Sequence, residues 1–286
     1  MAQLAQLRQK IRSIQTTKKI THAVRLVSMS LYNKLEKQDL PLKNYTKNIK
    51  NLFVQLLDQA PEWKNERLFP ADTTNSNPLI IIIATSKGLC GSLNSNLFRF
   101  LDASLFFLPN QQPKFIAIGQ RAIKMIKGDA SNQMICTYPE LNSNNFITIA
   151  DDLVDKISST AIPYSSVTFY SSSAISFFSQ KPARTQIIPM ILDHEVTQDL
   201  LLQEEIIWEQ DTPEILDSLA VRYLRTSIMH LLFQSLRAEH AARFMAMESS
   251  TNNAKKYLDR LTLQLNKLRQ ALITKEVSEL SSGHPR

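Results

Sequence analysis

Polar and apolar positions follow two different rules along this chain. At both ends they recur every three and four residues. In the middle, short apolar runs alternate with helical stripes. Leu258, Leu261, Leu265, Leu268 and Leu272 are spaced 3, 4, 3, 4, which is a heptad seam and requires a partner helix. From Glu214 to Ser282 there is neither glycine nor proline. The stretch can therefore run as one helix, roughly 100 Å long at about 1.5 Å per residue. A helix of that length is a shaft, a coiled-coil partner or a membrane element, and its charges exclude the membrane. Its start is marked by Thr212 as N-cap, Pro213 at the first helical position and Glu214 facing the positive helix end.

The N-terminus supplies the partner. Leu4, Leu7, Ile11 and Ile14 are spaced 3, 4, 3, and after the polar run Gln15–Lys19 a second stripe follows at Ile20, Val24, Val27, Leu31 and Leu35. The two stripes are out of register with each other, which predicts a local change in supercoil between them. Pro41 is expected to kink or end this helix, with a further amphipathic piece (Ile49, Leu52, Phe53, Leu56, Leu57) running on to Pro61. The expected units are an N-terminal coiled-coil helix over residues 1–60, kinked near Pro41, and a C-terminal one over 212–282. Matching seams at the two ends predict an antiparallel coiled coil closed by what lies between.

The middle reads as strands and helices in alternation. Pro78–Ala84 is β-branched, apolar and too short to cross a bilayer. Lys114–Gly119, Gln133–Tyr138, Ser165–Tyr170 and Arg184–Leu192 read as further strands, with helical patterns at Leu93–Phe107, Gln120–Lys127 and Phe146–Ser159. Phe177–Pro182 reads as a loop or hairpin between the last two strands. This predicts an α/β layer structure over residues 77–192 with a largely parallel sheet.

At 286 residues there is room for one or two domains. Cys90 and Cys136 form no CxxC pair and lie near no histidine cluster, which argues for a reducing compartment and against a zinc site. No signal or transit sequence precedes the first heptad. Charge is unevenly placed: residues 1–50 carry 11 Lys or Arg against Glu36 and Asp39. A basic helix of this kind is a solvated face, a nucleic-acid arm, a membrane-surface helix or a mate for an acidic protein. Few aromatics interleave for base stacking, which weakens the nucleic-acid reading. An enzyme reading rests on Thr85–Leu93, a strand-to-helix loop with two glycines, but its spacing fits neither GxGxxG nor GxxxxGK[ST]. The five histidines form no local dyad with Cys or Ser, and His240 falls in the long helix, where packing explains it.

Two terminal segments carry a specific resemblance. Ala238–Ala254 (AEHAARFMAMESSTNNA) and Asn266–Leu280 (NKLRQALITKEVSEL) resemble the gamma subunit of F-type ATP synthases, as does Ile11–Ser28 (IRSIQTTKKITHAVRLVS). Lys87–Asn94, Phe178–Pro182 with Ile187–Pro189, and Trp208–Pro213 add to it, so the resemblance covers the whole chain in order. Departures are Val24 where many members have methionine, Gly91-Ser92 in place of a glycine pair, Ser28–Lys34 in place of small and basic residues, and a polar C-terminal end. A redox-regulatory insertion with paired cysteines has no counterpart between Pro189 and Pro213, which favours a bacterial lineage.

The resemblance implies an α+β fold, with the long antiparallel coiled coil of both terminal helices and a central Rossmann-like α/β domain. It implies a rotor shaft inside a ring of alpha and beta subunits, seated with the epsilon subunit on a membrane ring of c subunits. It implies no catalytic, cofactor or metal residues in this chain, and a peripheral place on the cytoplasmic face of the bacterial inner membrane. By motif, Arg269, Gln270, Thr274 and Glu276 fall where the shaft engages the catalytic ring. Arg243 and Val24 match positions near an acidic loop of beta, and Trp208, Glu209 and Asp211 match the foot near the rotor ring.

Overall fold

A computed structural model of the chain describes residues 2–60, 62–65, 68–70, 77–105, 113–129, 133–160, 162–190 and 211–282. The elements run α1 (Ala2–Gln59), β1 (Pro78–Ile83), α2 (Leu93–Leu105), β2 (Lys114–Ile118), α3 (Gln120–Asp129), β3 (Met134–Tyr138), α4 (Phe146–Ser158), β4 (Ser166–Ser176), β5 (Ser179–Ile188) and α5 (Thr212–Ser282). Two units result, Leu31–Ala242 on one hand and Met1–Ser30 with Arg243–Arg286 on the other. Each long helix contributes to both.

The larger unit is built on a five-stranded sheet of order β3-β2-β1-β4-β5. β1 pairs parallel with β2 and β4, β2 pairs parallel with β3, and β5 returns antiparallel along β4. β1 lies at the centre, and its whole run is buried because both faces of the sheet are covered. Alternation then sorts its side chains. Leu79, Ile81 and Ile83 enter a core formed with α4 (Ile149, Leu153, Ile157), α1 (Leu35, Phe53, Leu56) and α5 (Leu216 to Leu236). Ile80, Ile82 and Ala84 enter a second core under α2 and α3, with Leu97, Leu101, Ala122 and Ile126. Pro182 sits on β5, an edge strand, where a missing N–H is tolerated. Gly119 follows β2 at φ +91°, and a Cβ there would stand 2.1 Å from the Ala84 carbonyl oxygen. Only glycine lets the end of β2 lie this close to the end of β1.

α1 does not end at Pro41. It runs through that residue to Gln59, losing one backbone hydrogen bond while Leu35, Phe53 and Leu56 on either side are held in the core. Polar ties add to this packing. Arg237 reaches Asp39 and, at 3.5 Å, Glu36. Trp63 Nε1 donates to Asp217 Oδ1 at 3.2 Å. Phe177, in the turn between β4 and β5, meets the Tyr32 ring edge-on with centroids 4.8 Å apart.

The smaller unit is a two-helix coil. Thr21 hydrogen-bonds Thr251, and Arg25 pairs with Glu248. Numbers rise on one helix as they fall on the other, so the pairing is antiparallel. On α5 the positions turned from solvent include Phe244, Met247, Thr251, Ala254, Leu258, Leu261, Leu265, Leu268 and Leu272, among them every leucine of the expected seam. On α1 they include Leu4, Leu7, Ile11, Ile14, Lys18, Thr21, Arg25 and Ser28, with Val24 and Met29 half-buried beside them. This is one unbroken register, so the expected change of supercoil after Ile14 is absent. The helix holds its 3, 4 count and accepts polar residues in the seam, while Ile20 and Val27 face out.

Candidate functional site

Among the described residues no group of three or more His, Cys, Asp or Glu is placed to hold a metal ion. Two places that the sequence singles out, and one polar group that only the fold assembles, differ in what their geometry permits.

The first is the loop after β1. Leu89 adopts φ 67°, Gly91 φ 58°, and α2 opens at Leu93. A phosphate cradle needs free amides aimed at the ligand. Here Asn94 Oδ1 accepts from the Thr85 amide at 3.2 Å, and Asn94 Nδ2 donates to Thr85 Oγ1 at 2.8 Å. The Leu93 amide is bonded to the Cys90 carbonyl at 3.3 Å. The loop is thus tied to its own helix, and Cys90 packs with Leu93 and Ala242 as a small apolar contact. These contacts make it a structural turn.

The second is a polar group at the edge of the sheet. The Tyr138 hydroxyl donates to Asp152, Lys156 pairs with the same carboxylate, and the ammonium lies 5.8 Å from the Tyr138 ring centre. Lys156, then Tyr138, hold the Asp152 carboxyl below its ordinary value. Burial, followed by the bond to Asp152, raises the Tyr138 phenol. Each group is locked in its ordinary charge state, which suits fixing α4 to β3 and not proton transfer. On α5, burial also lowers the His230 imidazole, which contacts the Gln234 amide at 2.5 Å.

The third is the end of α5. Arg269, Gln270, Thr274 and Glu276 are all exposed. Helical spacing puts Arg269 and Glu276 on one face with Ile273 and Leu280, and Gln270 and Thr274 on the next with Val277. Ile273, Val277 and Leu280 are exposed, Leu280 to 77%. The Thr274 hydroxyl donates to the Gln270 carbonyl at 3.0 Å, and Lys275 pairs with Glu279 at 3.7 Å. α5 therefore displays apolar and charged groups together after its last seam leucine, Leu272. Such a mixed exposed surface suits contact with another molecule more than bond-making chemistry.

The remaining expected residues fall elsewhere along the chain. Val24 is half-buried on α1 and Arg243, at 8% exposure, is buried on α5. Asp211 is exposed in the larger unit, and its carbonyl accepts from the Glu214 and Ile215 amides at 3.1 and 3.3 Å. It thereby takes the capping place expected of Thr212, which is the first residue of α5. Trp208 and Glu209 lie outside the described residues.

The hydrophobic reading passed over the polar stretch of the seam. The Thr251 hydroxyl bonds Thr21 Oγ1 at 2.9 Å and the Met247 carbonyl at 2.7 Å, and Ser28 Oγ donates to the Val24 carbonyl at 2.7 Å. The signal was present: counting 4, 3, 4, 3 onward from Ile14 lands on Lys18, Thr21, Arg25 and Ser28.

Among the described residues no helix is long and apolar enough to cross a membrane. The family model described as ATP synthase matches residues 3–285. The ATP synthase gamma chain of Janthinobacterium sp. (strain Marseille) is 29% identical over 293 residues, covering 99% of each chain. That of Ralstonia nicotianae is 28% identical over 291 residues with the same coverage. Among solved structures, the rotor of the Euglena gracilis mitochondrial ATP synthase aligns over 95% of this chain and 99% of its own, with TM-score 0.60 and 16% identity. A chain of the OSCP/F1/c-ring assembly of the same enzyme covers 98% of this chain, and 93% of it is covered in turn, with TM-score 0.65. At that identity the structures speak for the fold alone, and they share its long helices and central sheet. The sequence relation is end to end, and by it this chain belongs to the ATP synthase family, among gamma chains.

Proposed function

We propose that this chain is the central rotor shaft of an F-type ATP synthase. It couples ion-driven turning of a membrane ring to the cycling of beta catalytic sites, and runs in reverse when ATP is hydrolysed. The observation that carries the reading is the helix pair of a gamma-chain relative, closed on itself along one seam and open at the end of α5. A shaft biases several sites in turn only if its contacts differ with orientation. Arg269, Gln270, Thr274 and Glu276 on two adjacent faces supply such differences, with Val24 and Arg243 as further points of engagement with the catalytic ring. Asp211, with Trp208 and Glu209, belongs to the foot that meets the c ring.

In this reading the partners are the alpha, beta and epsilon subunits and the c ring, and the chain performs no chemistry itself. It stands on the cytoplasmic face of the bacterial inner membrane as a peripheral component. The names of the related rotor and c-ring assemblies support this, as does the sheet-edge chemistry, which holds charges fixed. The test is to mix the purified chain with separately purified alpha and beta subunits from the same organism, and to measure co-elution and ATPase activity together. A stable complex whose ATPase rises on adding the chain, with none from the chain alone, is expected. Turnover by the chain alone, or failure to form a complex, would overturn the reading.

A further inference from the structure

The stretch of α1 from Lys18 to Leu31 carries two seams one residue apart. The seam in use presents Thr21, Arg25 and Ser28 to α5. Ile20, Val24 and Val27 repeat the same 4, 3 spacing one residue earlier. Two of the three apolar residues are left outside, Ile20 at 56% and Val27 at 59% exposure, and Val24 is half-buried, whereas Ser28 is 2% exposed. Arg25 Nε is buried without a hydrogen-bond partner among the described residues. Local preference and actual packing therefore disagree over the same turns of helix, the condition under which a second arrangement lies close in free energy.

We infer that this part of α1 is a two-position element of the coil. In one position, seen here, polar bonds hold the polar seam against α5: Thr251 to Thr21, and Arg25 to Glu248. In the other, α1 is turned locally by one residue's angle, about 100°, and Ile20, Val24 and Val27 take the seam. The first position is selected by direction-specific bonds, the second by removal of apolar surface from water. A local turn of this size is absorbed by one tighter or looser helical turn at each side. The polar run before Ile20 suits that, because the hydroxyls of Thr16 and Thr17, and of Thr21 just after it, already bond back to the carbonyls of Arg12, Ser13 and Lys18 and compete with the backbone ladder there. Packed helices change in such discrete steps more readily than by continuous strain. The inference is independent of the rotor reading. Under that reading it means that the shaft takes up twist in a step.

The test uses the full chain with Val27→Cys or Ser28→Cys, labelled by a maleimide and read by mass spectrometry of the labelled peptides, which separates these sites from Cys90 and Cys136. In the otherwise native chain position 27 labels roughly tenfold faster than position 28. Adding Glu248→Ala and Thr251→Val removes the bonds that select the polar seam. The ratio is then expected to invert, with position 28 labelling roughly tenfold faster. Adding Ile20→Gln and Val24→Gln should abolish the inversion. Faster labelling at both positions means simple loosening and overturns the proposal, as does an unchanged ratio. Thr251→Val alone, the milder change, should move the ratio in the same direction. If it does not, the proposal fails even where the double substitution unfolds the coil.

Discussion

The two units of this molecule bury apolar surface by different means. In the sheet unit every residue of β1 is buried, and alternate side chains serve two separate cores. In the coil unit each helix offers one seam position every three or four residues. Leu261 is fully enclosed, while Leu258, Leu265, Leu268 and Leu272 are only half covered. The sheet unit is thus stabilised by area, and its pattern tolerates no polar intruder in β1. The coil is stabilised by register, and it accepts Thr21, Arg25 and Thr251 in the seam because each finds a partner there. A layered core fixes where the chain goes, and a polar seam fixes how one helix is turned against another.

Removing the end of one unit should leave the other intact. Ending the chain after Leu268 removes Arg269, Gln270, Thr274 and Glu276, and coupled ATP synthesis in the reassembled complex should weaken. The urea midpoint of the sheet unit should not move. Unchanged coupling would sink the roles given to Gln270, Thr274 and Glu276. Ile81→Ala, at the centre of the sheet, should destabilise the larger unit by about 4 kcal/mol in urea denaturation. Leu261→Ala in the coil should cost about 2–3 kcal/mol, read as faster hydrogen exchange over residues 255–270. An equal loss at both sites would erase the distinction drawn between area and register.

Arg237→Met removes the cation shared by Asp39 and Glu36. A loss of about 2 kcal/mol is expected, smaller than for a fully enclosed pair because Glu36 is half exposed. The urea midpoint measures it, and a rise in stability would mean that the ties are a burden on the core. The smallest effect is at the sheet edge. The Asp152 carboxyl is held below its ordinary 3.8 chiefly by Lys156 and then by Tyr138. A lowered carboxyl stabilises the fold above its ordinary value and loses that contribution as pH falls through the lowered one. Because the pair is solvated, Asp152→Asn should cost only about 0.3–0.5 kcal/mol at pH 7. The native and variant stability curves should converge below pH 3.8, and curves that stay parallel into acid would refute the linkage.

Much of this architecture was legible because hydrophobic spacing and secondary structure obey the same period. The β1 run, the helix starts at Leu93, Gln120 and Phe146, and the leucines from Leu258 to Leu272 announced themselves this way. The spacing predicts β4 ending at Tyr170 and β5 beginning at Arg184, with a loop or hairpin at Phe177–Pro182; β4 instead runs to Ser176 and β5 begins at Ser179, because the serines and Pro182 pair along a hairpin, Pro182 being on the edge strand. Pro41 predicts a kink or an end; the helix does not end there, because packing on both sides outweighs one lost hydrogen bond. At the end of α5, Arg269 and Glu276 are exposed although helical spacing sets both beside the leucine seam, one position after Leu268 and four after Leu272. The polar seam was missed because following the apolar residues from Ile14 leads to Ile20. Following the heptad count leads to Thr21, and only the partner residues Glu248 and Thr251, more than 200 positions away in the chain, decide which path the helix takes.

That separation has a consequence for how the molecule is made. Thr21 and Thr251 are 230 residues apart. At ribosomal rates α1 therefore waits roughly 10–45 s for its mate to be synthesised. During that interval Leu4, Leu7, Ile11 and Ile14 have no leucine seam to meet. The sheet unit has its strands in hand long before the coil has its second helix. A nascent chain stalled before α5 thus carries a bare hydrophobic stripe at its first-made end, where a chaperone would find it.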